Sequence, residues 1–214
     1  MICASIAEPT AGECIKALRD VRFAEIRIDK LRRPLVEDIR AIFSSHPRLI
    51  ATCRAGKVPY DSRRLLLETA IDGGAAFVDV EVEMNRAYKS AIVNHAMEKG
   101  CTPIVSFHNY NETPPGRELV RLVERCFGSG AEIAKIACMV NSEEDNDALL
   151  GLLEMKKRLV VIGMGEMGRR TRVMAPLLGA EFTFASLGRK TAEGQLSVDE
   201  MKDLIRELRG AGPP

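Results

Sequence analysis

The feature that most constrains this chain is its alternation. Short runs rich in β-branched and other apolar residues are followed, over and over, by longer stretches of helical composition and period. The runs are 1–7 (MICASIA), 23–29 (FAEIRID), 48–54 (RLIATCR), 76–83 (AFVDVEVE), 102–110 (TPIVSFHNY), 132–140 (EIAKIACMV), 158–165 (RLVVIGMG) and 181–188 (EFTFASLG). Between them lie amphipathic stretches such as LVEDIRAIF and ELVRLVERCF. Asp61, Ser142 with Asp145, and Ser197 with Glu200 read as helix starts. Glycines at 73–74, 100, 128, 130, 179 and 210 fall where helices should stop. Strands alternating with helices predict a parallel sheet. Eight such units of about 27 residues in a chain of 214 predict a closed (β/α)8 TIM barrel, a single α/β domain over residues 1–214.

Charge and composition narrow the function. A net charge of +1 argues against a protein that grips nucleic acid by charge. No apolar run reaches about 18 residues, so nothing is expected to span a membrane, and MICASIAEPT does not read as a signal peptide. The six cysteines form no C-x-x-C pair and share no ligand spacing with His46, His95 or His108. Neither a zinc site nor a disulfide framework is expected, which points to the cytoplasm.

Two runs carry charges that a strand buried on both faces would not. In FAEIRID, Glu25, Arg27 and Asp29 share one face; in AFVDVEVE, Asp79, Glu81 and Glu83 oppose the valines. Either strand alone reads as an exposed strand with a wet face. In a barrel the apolar face meets the helices, so the charges point inward, toward an active site at the C-terminal mouth. The same test applied to each unit gives Ser5, Glu25 with Arg27, Arg54, Glu81, His108 and Lys135, then Arg172 after the seventh run and the loop GRKTAEGQ (188–195) after the eighth.

Lys135 is the most informative of these. It shares the inward face of its run with Ile133 and Ala137. One reading is an ion pair with a carboxylate such as Glu81. The other is an amine kept neutral by desolvation, a nucleophile toward a ketone or aldehyde. His108, on the neighbouring run, would supply a proton shuttle beside such an amine. A competing pattern, G-x-G-x-x-G at Gly163, Gly165 and Gly168, lacks the acidic residue that should end the next strand of a dinucleotide site. Its glycines are read instead as a tight turn near an anion, with Arg172 as the positive charge.

At this point the residues resemble the type I 3-dehydroquinate dehydratase family. The matching pieces are EIRID, TCR, DVE, SFHNY, AKIA, MGEMGRRTR and TAEGQ, in that order, over residues 25–195. The resemblance implies dehydration of 3-dehydroquinate to 3-dehydroshikimate in the shikimate pathway, with no metal or cofactor. It makes Lys135 the Schiff-base lysine, His108 the general acid and base, and Glu81 the residue orienting His108. Arg172 would hold the substrate carboxylate; Glu25, Arg27 and Arg54 would read the ring hydroxyls with Ser5 nearby; Thr191 and Gln195 would close over the site. It also implies a homodimer. Relatives often carry a hairpin under the barrel where this sequence begins almost at the first run, which predicts a less sealed floor. Thr171 and Thr191 stand where relatives often have serine. A class I aldolase sharing the lysine, and a non-catalytic binding barrel, are the rival readings.

Overall fold

The computed structural model describes residues 1–188 and 194–210. Eight strands appear where the alternation puts them: β1 Ile2–Ile6, β2 Ala24–Arg27, β3 Leu49–Thr52, β4 Phe77–Glu81, β5 Thr102–Asn109, β6 Ile133–Met139, β7 Leu159–Met164 and β8 Thr183–Ser186. Each is followed by a helix: α1 Ala11–Ala17, α2 Val36–Ser44, α3 Tyr60–Asp72, α4 Arg86–Glu98, α5 Gly116–Gly128, α6 Glu143–Gly151, α7 Arg169–Met174 and α8 Val198–Gly210. The strands pair in parallel, in the order β7-β6-β5-β4-β3-β2-β1-β8. The remaining seam, between β7 and β8, is bridged where Glu181 N–H donates to Leu159 C=O at 2.9 Å. The result is a nearly closed (β/α)8 barrel.

The period of two sorts each strand's side chains between two cores. Ile26, Val78 and Val80 face outward and meet Ile39, Ile42 and Leu66 of the helices. Ile50, Ile104, Ile133, Val160 and Phe184 fill the barrel itself. At the floor, Phe23 packs on Phe182 at 5.0 Å and on Phe77 at 5.5 Å, and the Arg48 guanidinium lies 5.0 Å over the Phe23 ring. The floor expected to be less sealed is thus filled by large aromatic side chains.

Local differences from the sequence reading have local causes. β2 stops at Arg27 and gives way to a 3-10 turn at Ile28–Lys30, so Asp29 leaves the alternating face. Asp61 lies inside the first turn of α3 rather than before it, with Pro59 as the cap residue. There its charge still complements the helix N-terminus. The two other starts hold: Ser142 with Asp145, and Ser197 with Glu200, bond reciprocally as capping boxes.

Candidate active site

The C-terminal ends of the strands open on a cavity of about 460 Å³, lined among others by Glu25, Arg27, Arg54, His108, Lys135 and Arg172. Lys135 is in the middle of β6, where parity turns it inward with Ile133 and Ala137. It is 5% exposed. Its Nζ donates to Asp79 Oδ2 at 3.0 Å, stands 3.9 Å from Glu25 Oε1, and lies 4.2 Å over the Phe184 ring. A buried ammonium needs such partners; here it has two carboxylates and a π face.

Asp79 is the centre of the network. Arg54 grips it with both arms, Nη1 to Oδ1 at 3.0 Å and Nη2 to Oδ2 at 2.7 Å. The Ser106 hydroxyl donates to the same Oδ1 at 2.6 Å. Burial alone would raise the Asp79 pKa, but the charges of Arg54 and Lys135 outweigh it and hold the carboxyl well below the usual range. Burial likewise opposes the Arg54 charge, yet Asp79 and Glu81 push its pKa up.

His108 sits near the end of β5, beside β6, with its ring stacked on exposed Tyr110. Arg54 Nη2 lies 3.3 Å from its Nε2. Guanidinium can only donate, so Nε2 carries the lone pair and the proton of the neutral ring is on Nδ1. Burial pushes the His108 pKa well below its ordinary value, and the charges of Arg54 and Lys135 push the same way. The imidazole is therefore neutral at neutral pH and able to accept a proton.

On the β1–β3 side, the buried Glu25 carboxylate accepts from Ser5 Oγ at 2.7 Å and Thr52 Oγ1 at 2.9 Å. Ser5 thus acts through Glu25. Arg27 is held bidentately by Asp29, at 3.0 and 2.8 Å. On the opposite side, Arg172 belongs to the short α7 and is 1% exposed. Burial pulls its pKa down to about 10. The turn before it depends on glycine: a methyl added to Gly163 would fall 2.7 Å from the Gly168 Cα. The pattern resembling a dinucleotide fingerprint therefore builds an arginine-bearing turn. Gln195 lines the same cavity and is buried, while Thr191 lies outside the described residues.

One residue departs from its sequence role. Glu81 pairs with Arg63 of α3 at 3.3 Å, not with His108. The carboxylate beside Lys135 is Asp79, two residues earlier on the same face. Sequence reasoning missed Asp79, Thr52 and Ser106. The face it identified on β4 held both acids, and only cross-strand register separates them. Among the described residues no group of His, Cys, Asp and Glu comes together to hold a metal, and no helix is long and apolar enough to cross a membrane.

Comparison with known proteins converges on one family. The family model described as Type I 3-dehydroquinase matches residues 2–211. A 3-dehydroquinate dehydratase of Methanothermobacter thermautotrophicus is 37% identical over 97% of this chain and 96% of its own length. One from Methanocaldococcus jannaschii is 33% identical over 96% of this chain and 98% of its own. Among solved structures, the type I 3-dehydroquinate dehydratase of Clostridium difficile with covalently modified comenic acid superimposes with a TM-score of 0.86 at 25% identity, covering 98% of this chain and 92% of that one.

Proposed function

This chain belongs to the type I 3-dehydroquinase family, and from that premise we propose that its barrel mouth dehydrates 3-dehydroquinate through an imine on Lys135, with His108 moving the protons. The overall activity is that of a hydro-lyase of the shikimate pathway. The observation that carries the mechanistic reading is a buried lysine, 3.0 Å from an ionised Asp79, opening on the same cavity as a neutral histidine.

Lys135 must shed a proton before it attacks, and His108 is the base in the same cavity. The freed amine adds to the substrate ketone, and protonated His108 returns its proton to the carbinolamine hydroxyl, which leaves as water to give an iminium and a neutral imidazole. That cation withdraws electrons from the neighbouring carbon, so its C–H becomes acidic. His108 takes this proton on Nε2, which requires Arg54 to give up its hydrogen bond to that atom. The electron pair then expels the C1 hydroxyl, which His108 protonates as it departs as water. A second water hydrolyses the conjugated iminium, returning the lysine ammonium and releasing 3-dehydroshikimate. One water is taken up for the one lost in imine formation, so the net change is loss of one water.

The remaining groups bind and orient. Arg172 holds the substrate carboxylate. Glu25, fixed by Ser5 and Thr52, and Arg27, fixed by Asp29, read ring hydroxyls. Arg54 keeps His108 neutral and Asp79 in place. Gln195, which lines the cavity, helps close the mouth against water. The reading brings with it a cytoplasmic location, consistent with six free, buried cysteines, and a homodimer; fractionation and sedimentation test these.

The experiment follows the covalent step. Incubation with 3-dehydroquinate should give the absorbance of a conjugated enone. Borohydride should reduce the imine to a stable amine whose added mass maps to Lys135. Lys135→Arg keeps a charge but cannot form the imine, so it should fold, resist trapping and lose at least about 10⁴-fold in turnover. An adduct on another lysine, or an active Lys135→Arg enzyme, would overturn the mechanism.

A further inference from the structure

A buried amide outside the mouth has a specific pair of partners. Asn146 is in α6, behind the β7 turn, and is 0% exposed. A buried primary amide is costly unless its donors and acceptor are bonded. Its Oδ1 accepts from the Thr171 hydroxyl at 2.5 Å, and its Nδ2 donates to Met167 C=O at 3.1 Å. A backbone carbonyl can only accept, so the amide nitrogen must face Met167 and the oxygen must face Thr171. Nδ2 also reaches Glu143 Oε2 at 3.4 Å, at the edge of the site.

Met167 and Thr171 bracket the turn around Gly168, and the next residue is Arg172. The same segment is also tied to α6 at the surface, where Arg170 Nη1 lies 2.9 Å from Glu143 Oε2 and 3.0 Å from Asp147 Oδ1; exposed pairs of this kind contribute little, whereas the Asn146 bonds are buried. Gly163 and Gly168 meet backbone to backbone, leaving no room for side chains to interlock. The helix that carries Arg172, α7, spans six residues (Arg169–Met174), too few to hold its direction by helix propensity. One side chain from a neighbouring helix ties both ends of the segment together.

We propose that Asn146, through Thr171, is a positioning residue that aims Arg172 into the cavity. It touches neither substrate nor reacting atoms; it sets where the guanidinium stands. The proposal rests on the reading that Arg172 holds the substrate carboxylate. Asn146→Leu fills similar space but leaves the Thr171 hydroxyl and the Met167 carbonyl without their buried partner. The guanidinium then loses its register with a carboxylate that needs close geometry.

The test is steady-state kinetics with 3-dehydroquinate on Asn146→Leu, Thr171→Val, Thr171→Ser and their double variant, with Arg172→Ala as the control. Asn146→Leu and Thr171→Val should each raise KM about tenfold with kcat within about threefold, since the lost contact is a binding one. The double variant should be no worse than either single, because both break the same clamp. Thr171→Ser, which keeps the hydroxyl, should recover most of the KM lost in Thr171→Val. A variant that merely loses folded protein lowers kcat per total enzyme and leaves KM in place; that result overturns the clamp. So does an unmoved KM in Asn146→Leu when Arg172→Ala raises it, and the role of Arg172 then stands. An unmoved KM in Arg172→Ala overturns the carboxylate reading and the clamp with it. If Asn146→Leu does not fold, Thr171→Val against Thr171→Ser decides.

Discussion

Arg54 and Arg172 face the same cavity and are both largely buried, yet their surroundings act on them in opposite directions. Around Arg54 the charges of Asp79 and Glu81 overcome burial and strengthen the guanidinium's hold on its proton. Around Arg172 burial dominates and pulls the pKa down to about 10. The β3–β6 wall is a network of opposite charges with its own neutralisation built in: Arg54, Asp79 and Lys135, with Ser106 bonded to the same carboxylate. The β7 turn is held in its buried part by neutral hydrogen bonds and glycine contacts, with its ion pairs confined to the surface at Arg169 and Arg170. The first arrangement is suited to holding reacting groups still, because an ion network in low dielectric resists rearrangement. The second sets a buried guanidinium against the cavity, where planar bidentate pairing suits a carboxylate. In the proposed reading, chemistry and substrate capture are thus divided between two sides of one mouth.

Breaking the chemical side should have the largest effect. His108→Ala should cost about 10²–10⁴ in kcat, as for other general acid–base residues, with substrate binding largely kept. Turnover within tenfold of the parent enzyme would remove His108 from the mechanism. The charged wall itself can be broken with Asp79→Asn. This leaves Arg54 and Lys135 buried without their shared carboxylate and should destabilise the fold by about 3–5 kcal/mol, read by urea denaturation.

The pH dependence of that loss has a definite sign. Asp79 has a depressed pKa in the folded state, so its contribution is complete above its unfolded value and disappears only as pH falls through the folded one. The stability gap between the parent and Asp79→Asn should therefore be the same near about pH 7 and about pH 5. As pH falls below about 4, the unfolded carboxyl range, the gap should shrink; a gap that stays level there would show Asp79 titrating alike in both states and refute the network.

The capture side should respond differently. Arg172→Ala should weaken substrate or product binding by about 2–5 kcal/mol, the cost of leaving one member of a buried charge pair alone. Calorimetric titration with product would expose an error if affinity held. The smallest effect separates the two sides by pH alone. Because His108 titrates well below its ordinary value of 6.5, kcat/KM should stay level as pH falls through that value and decline only beyond it. A midpoint at 6.5 or above would mean that the histidine is not shielded by Arg54 as the structure has it.

Much of this site was legible before any fold was known, and the reason is periodicity. A period of two fixes which face each strand residue occupies, so the inward direction of Glu25, His108 and Lys135 followed from the order of residues alone. The partners were not legible. Asp79 and Glu81 share a face and a charge, and sequence reasoning gave the central place to Glu81. The parallel register sets Ser106 opposite both Glu81 and Lys135, which leaves Asp79 one step deeper, where Lys135 and Arg54 reach it. Glu81, nearer the rim, turns to Arg63 on a helix.

The sequence by itself determined the barrel, the inward faces and the residue types at the strand ends, because eightfold alternation and side-chain parity are local properties of the chain. Only the tertiary structure decided which carboxylate neutralises Lys135, that Thr52 and Ser106 support the acids, and that Asn146 of one helix ties down the turn before Arg172. Those choices depend on strand register and helix packing across 21 or more residues of separation, and over such distances a linear pattern carries no geometry.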